Sequence, residues 1–152
     1  MDTANRGGRR GCPQQVNAIV EAQTVEVDGL SIRYLSVGAG QPLVLLHGAG
    51  DNALDWQWVM PDLAATYRVY APDLPGSPNS ARPAAEYSPA FFELFTAGFL
   101  DALGIERAVF VGNSLGGLIA LRLALSEPAR GAPWSSSTAP DSGDPPPTLS
   151  GR

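Results

Sequence analysis

The sequence predicts an α/β protein, a doubly wound, mostly parallel sheet entered through an antiparallel hairpin. Short apolar-rich runs at residues 43–46, 68–71 and 108–111 alternate with longer stretches of helical period. Each of these runs ends in a turn carrying a polar side chain: His47, Asp73 and Ser114. All three are thereby placed at the carboxyl edge of the strands, where open α/β sheets bind ligands. Ahead of them, Asp28-Gly29 separates two alternating runs, which is a hairpin signal.

Taken in order, residues 1–18 hold Arg6, Arg9, Arg10, four glycine or proline residues and almost nothing apolar, and are expected to be a disordered arm or a misassigned start. Arg9-Arg10 has no hydrophobic stretch close behind it, so a twin-arginine signal is not read here. Residues 19–130 form the folded unit. In it, residues 24–27 and 30–35 alternate as paired strands. Leu43, Val44, Leu45 and Leu46 are apolar at every position, the mark of a central strand covered on both faces. Residues 55–67 read as a helix with Trp58, Leu63 and Tyr67 on its apolar positions, Pro61 disturbing its middle or starting a second turn. A strand over 68–71 ends at Pro72, and residues 75–83 are a loop rich in Gly, Pro and Ser.

Ser88-Pro89 opens the next helix, with Ser as N-cap, Pro at the first helical position and Glu93 in the early turns. It runs through Phe91, Phe92, Leu94, Phe95, Phe99, Leu100 and Leu103 to Gly104, a suitable C′ residue. The phenylalanine stripe is read as core packing against the sheet rather than a ligand wall. A strand over 108–111, a tight turn and a helix to about Ser126 follow. Residues 131–152 show no period of any kind, and no regular structure is expected there.

A chain of 152 residues has room for one domain with a real core. Its net charge of −5 argues against nucleic acid or an anionic membrane as partner. All ten basic residues are Arg, which implies a GC-rich coding sequence because lysine codons are A-rich. Cys12 is the only cysteine, so no intrachain disulfide is possible. No apolar stretch approaches the ~18 residues of a membrane span, and a cytoplasmic location is the expectation. Nothing calls for a metal or a cofactor.

The chemistry concentrates at Gly112-Asn113-Ser114-Leu115-Gly116, set between the strand at 108–111 and the following helix. This fits a nucleophile elbow, in which a serine sits on a strained strand-to-helix turn and glycines allow the close approach of the flanking elements. A phosphate loop is the competing reading, but the stretch lacks both the Rossmann spacing and the terminal Gly-Lys-Ser/Thr of a P-loop. The helix N-terminus below the serine favours negative charge, which suits an oxyanion formed in acyl transfer.

Two further motifs join the elbow in the same order. His47-Gly48-Ala49-Gly50 follows one strand and Asp73-Leu74-Pro75-Gly76 follows another. Together the three resemble the α/β-hydrolase family, its HGxG turn and its D-x-x-G loop included, over roughly residues 25–128. The resemblance implies that Ser114 is the nucleophile. It also implies an oxyanion hole made by the Leu115 N–H and an N–H from Ala49 or its neighbour. Gly48, Gly50, Gly76, Gly112 and Gly116 would be its supporting glycines. Family members with aspartate at the elbow open epoxides or displace halide. Serine there implies hydrolysis of an ester, thioester, amide or carbon–carbon bond beside a carbonyl, with a small-molecule acyl substrate.

The family orders its triad as Ser, then Asp or Glu, then His. Here the only histidine is His47, which precedes Ser114 and belongs to the oxyanion motif, where the family uses it to shape the turn. Asp73 also precedes the serine and is read as a loop-stabilising residue. Asp141 and Asp144 follow it, but in a stretch with no scaffold. The expectation is therefore a truncated α/β-hydrolase core, carrying nucleophile and oxyanion hole but neither acid nor base, with little or no activity. Without further strands, residues 108–111 would be an apolar sheet edge prone to aggregation or non-specific association. A non-enzymatic binding module retaining the pocket is the alternative.

The last expectation concerns the tail. With GC-ending codons and TCN serines, residues 133–138 read one frame over give Leu/Val-Val-Leu/Val-Leu/Val-Asp/His. That is an aliphatic strand ending in a polar residue, similar to the Leu-Val-Leu-Val-Asp strand the family carries next. A frameshifted tail is expected on this basis, with a plain truncation or a genuine tail as alternatives.

Overall fold

The computed structural model describes residues 19–131. The expected N-terminal arm, Cys12, Asp141, Asp144 and the tail from residue 132 lie outside the described residues.

Strands β1 (Glu21–Val27) and β2 (Leu30–Val37) form the expected hairpin, with Asp28 at φ 48° and Gly29 at φ 79°. Two consecutive left-handed residues give the turn a twist that matches the strands it joins. Strand β3 (Gln41–Leu46) is followed by a 3₁₀ turn (Ala53–Trp56), the one-turn helix α1 (Met60–Leu63) and β4 (Tyr67–Pro72). Helix α2 (Pro89–Ala102), strand β5 (Val109–Gly112) and helix α3 (Leu115–Ser126) complete the described order.

The five strands lie in the order β1-β2-β4-β3-β5. β2 pairs antiparallel with β1 and β4, while β3 pairs parallel with β4 on one side and β5 on the other. The chain leaves β3 for β4, then crosses back over β3 to reach β5. The strand order therefore reverses at β3, and the crevice above its carboxyl end is the switch point that ligands use in such sheets.

β3 is buried on both faces, as its unbroken apolar run predicts. Val44 and Leu46 enter a core shared with Ile32, Tyr34, Phe95, Phe99, Ile119 and Leu123 under α2 and α3. Leu43 and Leu45 enter a second core with Leu35, Val37, Met60, Val69 and Ala71 on the other face. The period-2 alternation of a strand splits one run between two layers.

The expected helix over 55–67 is not formed. The Ala53 N–H donates to Asp73 Oδ1 at 2.6 Å and Asn52 Oδ1 accepts the Leu54 N–H at 3.0 Å, so this segment is fastened as a 3₁₀ turn. Pro61, lacking an N–H, stands in the first turn of the separate helix α1, and Tyr67 already belongs to β4. Trp58 is correspondingly 82% exposed instead of buried. Trp56 packs against the second core in its place, with its Nε1 the buried side-chain polar atom left without a partner among the described residues.

Helix α2 follows its sequence signals closely. Ser88 Oγ accepts the Phe91 N–H at 3.2 Å, Pro89 opens the first turn, and Gly104 at φ 66° ends it. Phe95 and Phe99 are core residues, whereas Leu94 points outward and is 73% exposed. Glu93 accepts from Arg122 Nε and Ser126 Oγ, both at 2.6 Å, and so ties α2 to α3. Those two donors hold its carboxyl below the usual range, the Ser126 hydroxyl contributing most. Gly131, read above as the start of an unstructured stretch, makes a parallel bridge to Ala108. No helix among the described residues is long and apolar enough to cross a membrane.

Candidate active site

The elbow is built by two glycines that nothing larger could replace. A Cβ on Gly112 would overlap the backbone of Gly116 and Gly117, and one on Gly116 would overlap the Leu46 carbonyl. α3 therefore starts directly against the ends of β5 and β3. Asn113 N–H donates to Leu46 O at 3.0 Å, which fixes the turn to the central strand. Between these constraints Ser114 takes φ 50° and ψ −110°, outside every ordinary region for an L-residue. Such a conformation costs about 1–3 kcal/mol and persists only where its surroundings impose it. Ser114 is exposed, and its Oγ makes no hydrogen bond among the described residues.

The turn after β3 lies alongside. A Cβ on Gly48 would stand 3.4 Å from Asn113 Nδ2, so the His47 turn and the elbow are neighbours in space. Gly50 has φ 84° and allows the chain to double back. The N–H groups of Ala49 and Leu115 donate to nothing among the described residues. Both residues line one cavity of about 690 Å³, together with His47, Gly48, Gly50, Asp51, Leu74, Arg82, Tyr87, Pro89 and Phe92 among others. Ser114 stands next to Leu115 at the edge of this cavity and does not itself line it. Phe92 of the phenylalanine stripe serves both core and cavity wall.

His47 is buried and fully engaged. Leu74 N–H donates to its Nε2 at 2.9 Å, and Nδ1 lies 2.7 Å from Gly48 O. An amide can only donate, so Nε2 must accept and the ring proton resides on Nδ1, which donates to Gly48 O. Ser77 Oγ adds a second contact to Nε2 at 3.2 Å. The ring thus ties the β3 turn to the loop after β4 and has no lone pair left for a serine hydroxyl.

Asp73 is equally committed. Its carboxylate, 0% exposed, accepts from Arg33 Nη1 at 2.8 Å on one oxygen and from Ala53 N–H at 2.6 Å on the other. Ser80 Oγ donates to Asp73 O at 2.7 Å and accepts from Arg33 N–H at 3.2 Å. The loop carrying Gly76 (φ 91°) is closed by the Gly76 N–H to Ala81 O bond of 2.9 Å and packs under Tyr87. Sequence reasoning did not single out Arg33, Ser77 or Ser80. Arg33 stands at an ordinary polar position of an alternating strand, where nothing local marks it as the partner of a buried carboxylate. Ser77 and Ser80 carry no signal beyond being polar in a loop.

Among the described residues no cluster of three or more His, Cys, Asp or Glu side chains is placed to hold a metal ion.

The family model describing the alpha/beta hydrolase fold matches residues 41–131, which span β3, both crossovers and the elbow. The chain belongs to the α/β-hydrolase family. Its relatives include the 2-hydroxymuconate semialdehyde hydrolase of Pseudomonas sp. (strain CF600), 48% identical over 97 residues that cover 61% of this chain and 34% of that protein. Another is the 2-hydroxy-6-oxo-2,4-heptadienoate hydrolase of Pseudomonas putida (strain F1), 39% identical over 119 residues, 76% of this chain and 43% of that protein. Among solved structures, a serine hydrolase involved in carbazole degradation superposes with a TM-score of 0.71 at 32% identity, covering 74% of this chain and 45% of that one. The chain therefore spans about a third to two-fifths of the length of the curated relatives it matches. It holds the part of the α/β-hydrolase fold that includes the β3 turn and the elbow.

Proposed function

We propose that Ser114 is the nucleophile of a serine α/β-hydrolase and that the Ala49 and Leu115 N–H groups form its oxyanion hole. The observation that carries this reading is the backbone of Ser114. It is a non-glycine residue forced to φ 50° between two glycines, with an exposed hydroxyl that nothing holds. Attack by Oγ on a carbonyl carbon would develop negative charge on the carbonyl oxygen beside two unpaired amides, that of Leu115 at the N-terminus of α3 and that of Ala49 on the turn after β3. The reaction class is hydrolysis at a carbonyl: an ester, thioester, amide, or carbon–carbon bond next to a carbonyl. Two relatives are named as hydrolases of 2-hydroxymuconate semialdehyde and of 2-hydroxy-6-oxo-2,4-heptadienoate, which supports a small carbonyl-bearing substrate.

Among the described residues no side chain is free to accept the proton of the attacking serine. His47 is the only histidine and its Nε2 is taken by the Leu74 amide. Asp73 is held by Arg33 and Ala53. The polypeptide is thus expected to trap activated acyl or phosphoryl groups slowly and to turn over little. A fluorophosphonate probe tests this directly. Ser114 should be labelled, the adduct located by mass spectrometry, and labelling lost in Ser114→Ala. Saturable ligand binding without any labelling would instead support a binding module that keeps the pocket.

A further inference from the structure

The Gly48 carbonyl and the Ala49 N–H belong to one planar trans peptide unit and point in opposite directions. Whatever holds the carbonyl therefore aims the amide. Two donors hold it, His47 Nδ1–H at 2.7 Å and the Asp51 N–H at 3.3 Å. Ala49 is exposed and stands between two glycines, so its own side chain adds little to fix that plane. Behind both donors stands one hydroxyl. Ser77, buried on the loop after β4, places its Oγ 3.2 Å from His47 Nε2, the other ring nitrogen, and donates to Asp51 O at 3.4 Å. The backbone of Ser77 is fixed in turn, its N–H donating to Leu74 O at 3.0 Å and its carbonyl accepting the Ser80 N–H at 3.2 Å.

We infer that Ser77 is a positioning residue for the turn that presents the Ala49 amide. This rests on the reading of that amide as an oxyanion donor and deepens it by naming what aims it. The Leu74 N–H holds the imidazole at a single point, Nε2, about which the ring can still swing and carry Nδ1–H off Gly48 O. The Asp51 end of the turn reaches Gly48 O only through a long hydrogen bond. The Ser77 hydroxyl has one proton and two acceptors within reach, Nε2 and the Asp51 carbonyl, and so ties ring and turn to the same loop. An oxyanion donor is effective only when it is aimed in advance at the place where charge develops, so a turn that wavers loses rate before it loses binding.

The test follows fluorophosphonate labelling of the full chain against probe concentration, which separates probe binding from the limiting rate. Ser77→Ala is expected to lower the limiting rate about tenfold with binding unchanged, and Ser77→Thr, which keeps the hydroxyl, to restore most of it. Ser36→Ala is the control, because it removes another buried hydroxyl, on β2 and outside this cavity, and should label at the parental rate. His47 is the only histidine, so its ring signals in a nitrogen–proton correlation spectrum are assigned without ambiguity. Its Nδ1–H should be visible in the parent and in Ser77→Thr and be lost to solvent exchange in Ser77→Ala. An unchanged limiting rate in Ser77→Ala, an equal fall in Ser36→Ala, or no recovery in Ser77→Thr would overturn the assignment. So would a ring proton absent from the parent or persisting in Ser77→Ala. If the parent is not labelled at all, the nucleophile fails and the ring signal alone decides: loss in Ser77→Ala with return in Ser77→Thr supports the hold on the turn, and persistence overturns it.

Discussion

The two halves of the crevice above β3 treat their polar groups in opposite ways. On the side of the loop after β4, the polar side chains taken out of water are consumed. Asp73 is saturated by Arg33 and Ala53, His47 bridges Gly48 and Leu74, and Ser80 joins Asp73 to β2. On the elbow side the reverse holds: Ser114 Oγ is unheld, the Ala49 and Leu115 amides are unpaired, and the backbone is strained. Burial explains the first half, since a charge or imidazole removed from water must find partners. Folding accounts for the free Leu115 amide, as the first of a helix, but not for the Ser114 backbone, whose strain only costs stability. Residue types that look equally catalytic in a sequence are thereby separated: the satisfied ones hold the site and the unsatisfied ones are available to a substrate.

The sharpest way to break this contrast is to remove Asp73. Asp73→Ala leaves the Ala53 N–H and the Arg33 guanidinium without their acceptor. It should cost about 3 kcal/mol in urea denaturation, the low end for a broken buried pair because Arg33 is partly exposed. A loss below about 1 kcal/mol would mean that the network is not structural. The elbow should respond with the opposite sign. Ser114→Gly relieves the positive φ, and after the larger entropy of an unfolded glycine it should raise stability by about 1 kcal/mol while abolishing fluorophosphonate labelling. A destabilised Ser114→Gly would show that the serine side chain is held after all.

A smaller effect is expected with pH, away from the crevice. Glu93 is held below its ordinary value of 4.5 by Ser126 and Arg122. Its link between α2 and α3 therefore contributes stability above that value and loses it as pH falls through the depressed folded value. Glu93→Gln should flatten this acid limb of a stability–pH curve, and an unchanged limb would argue against the link. The smallest difference is expected in turnover. With no free base beside Ser114 among the described residues, this chain and Ser114→Ala should hydrolyse p-nitrophenyl acetate at the same rate within error. A clear serine-dependent rate would show that His47 leaves its Leu74 bond, and His47→Ala would then abolish it.

Much of this was readable in the sequence where a local conformation forces a residue type. Asp28-Gly29 encodes two positive φ values, Gly112 and Gly116 encode approaches too close for a Cβ, and residues 43–46 encode burial on both faces. The segment 55–67 departs from the helix its apolar spacing predicts because that spacing is local, while what shapes the segment is not. The Asp73 carboxylate, from a turn after a later strand, fastens Ala53 and starts a 3₁₀ turn instead. Arg33, Ser77 and Ser80 carry no local signal for the same reason, their partners being set by which turns the sheet brings together.

The bridge between Ala108 and Gly131 sets a condition on growth of the sheet. A parallel strand is slow to add because a long loop must close before its first contact forms. Here α3 has already carried the chain back, and the first rung, with Ala108 N–H donating to Arg130 O at 2.9 Å, is in place. The entropic toll of nucleation has been met, and each further residue would gain a ladder bond for only its own ordering. An aliphatic segment joined directly after Gly131 would extend along β5 by zipping rather than by search, and its fourth residue would come level with Gly112, at the mouth of the crevice.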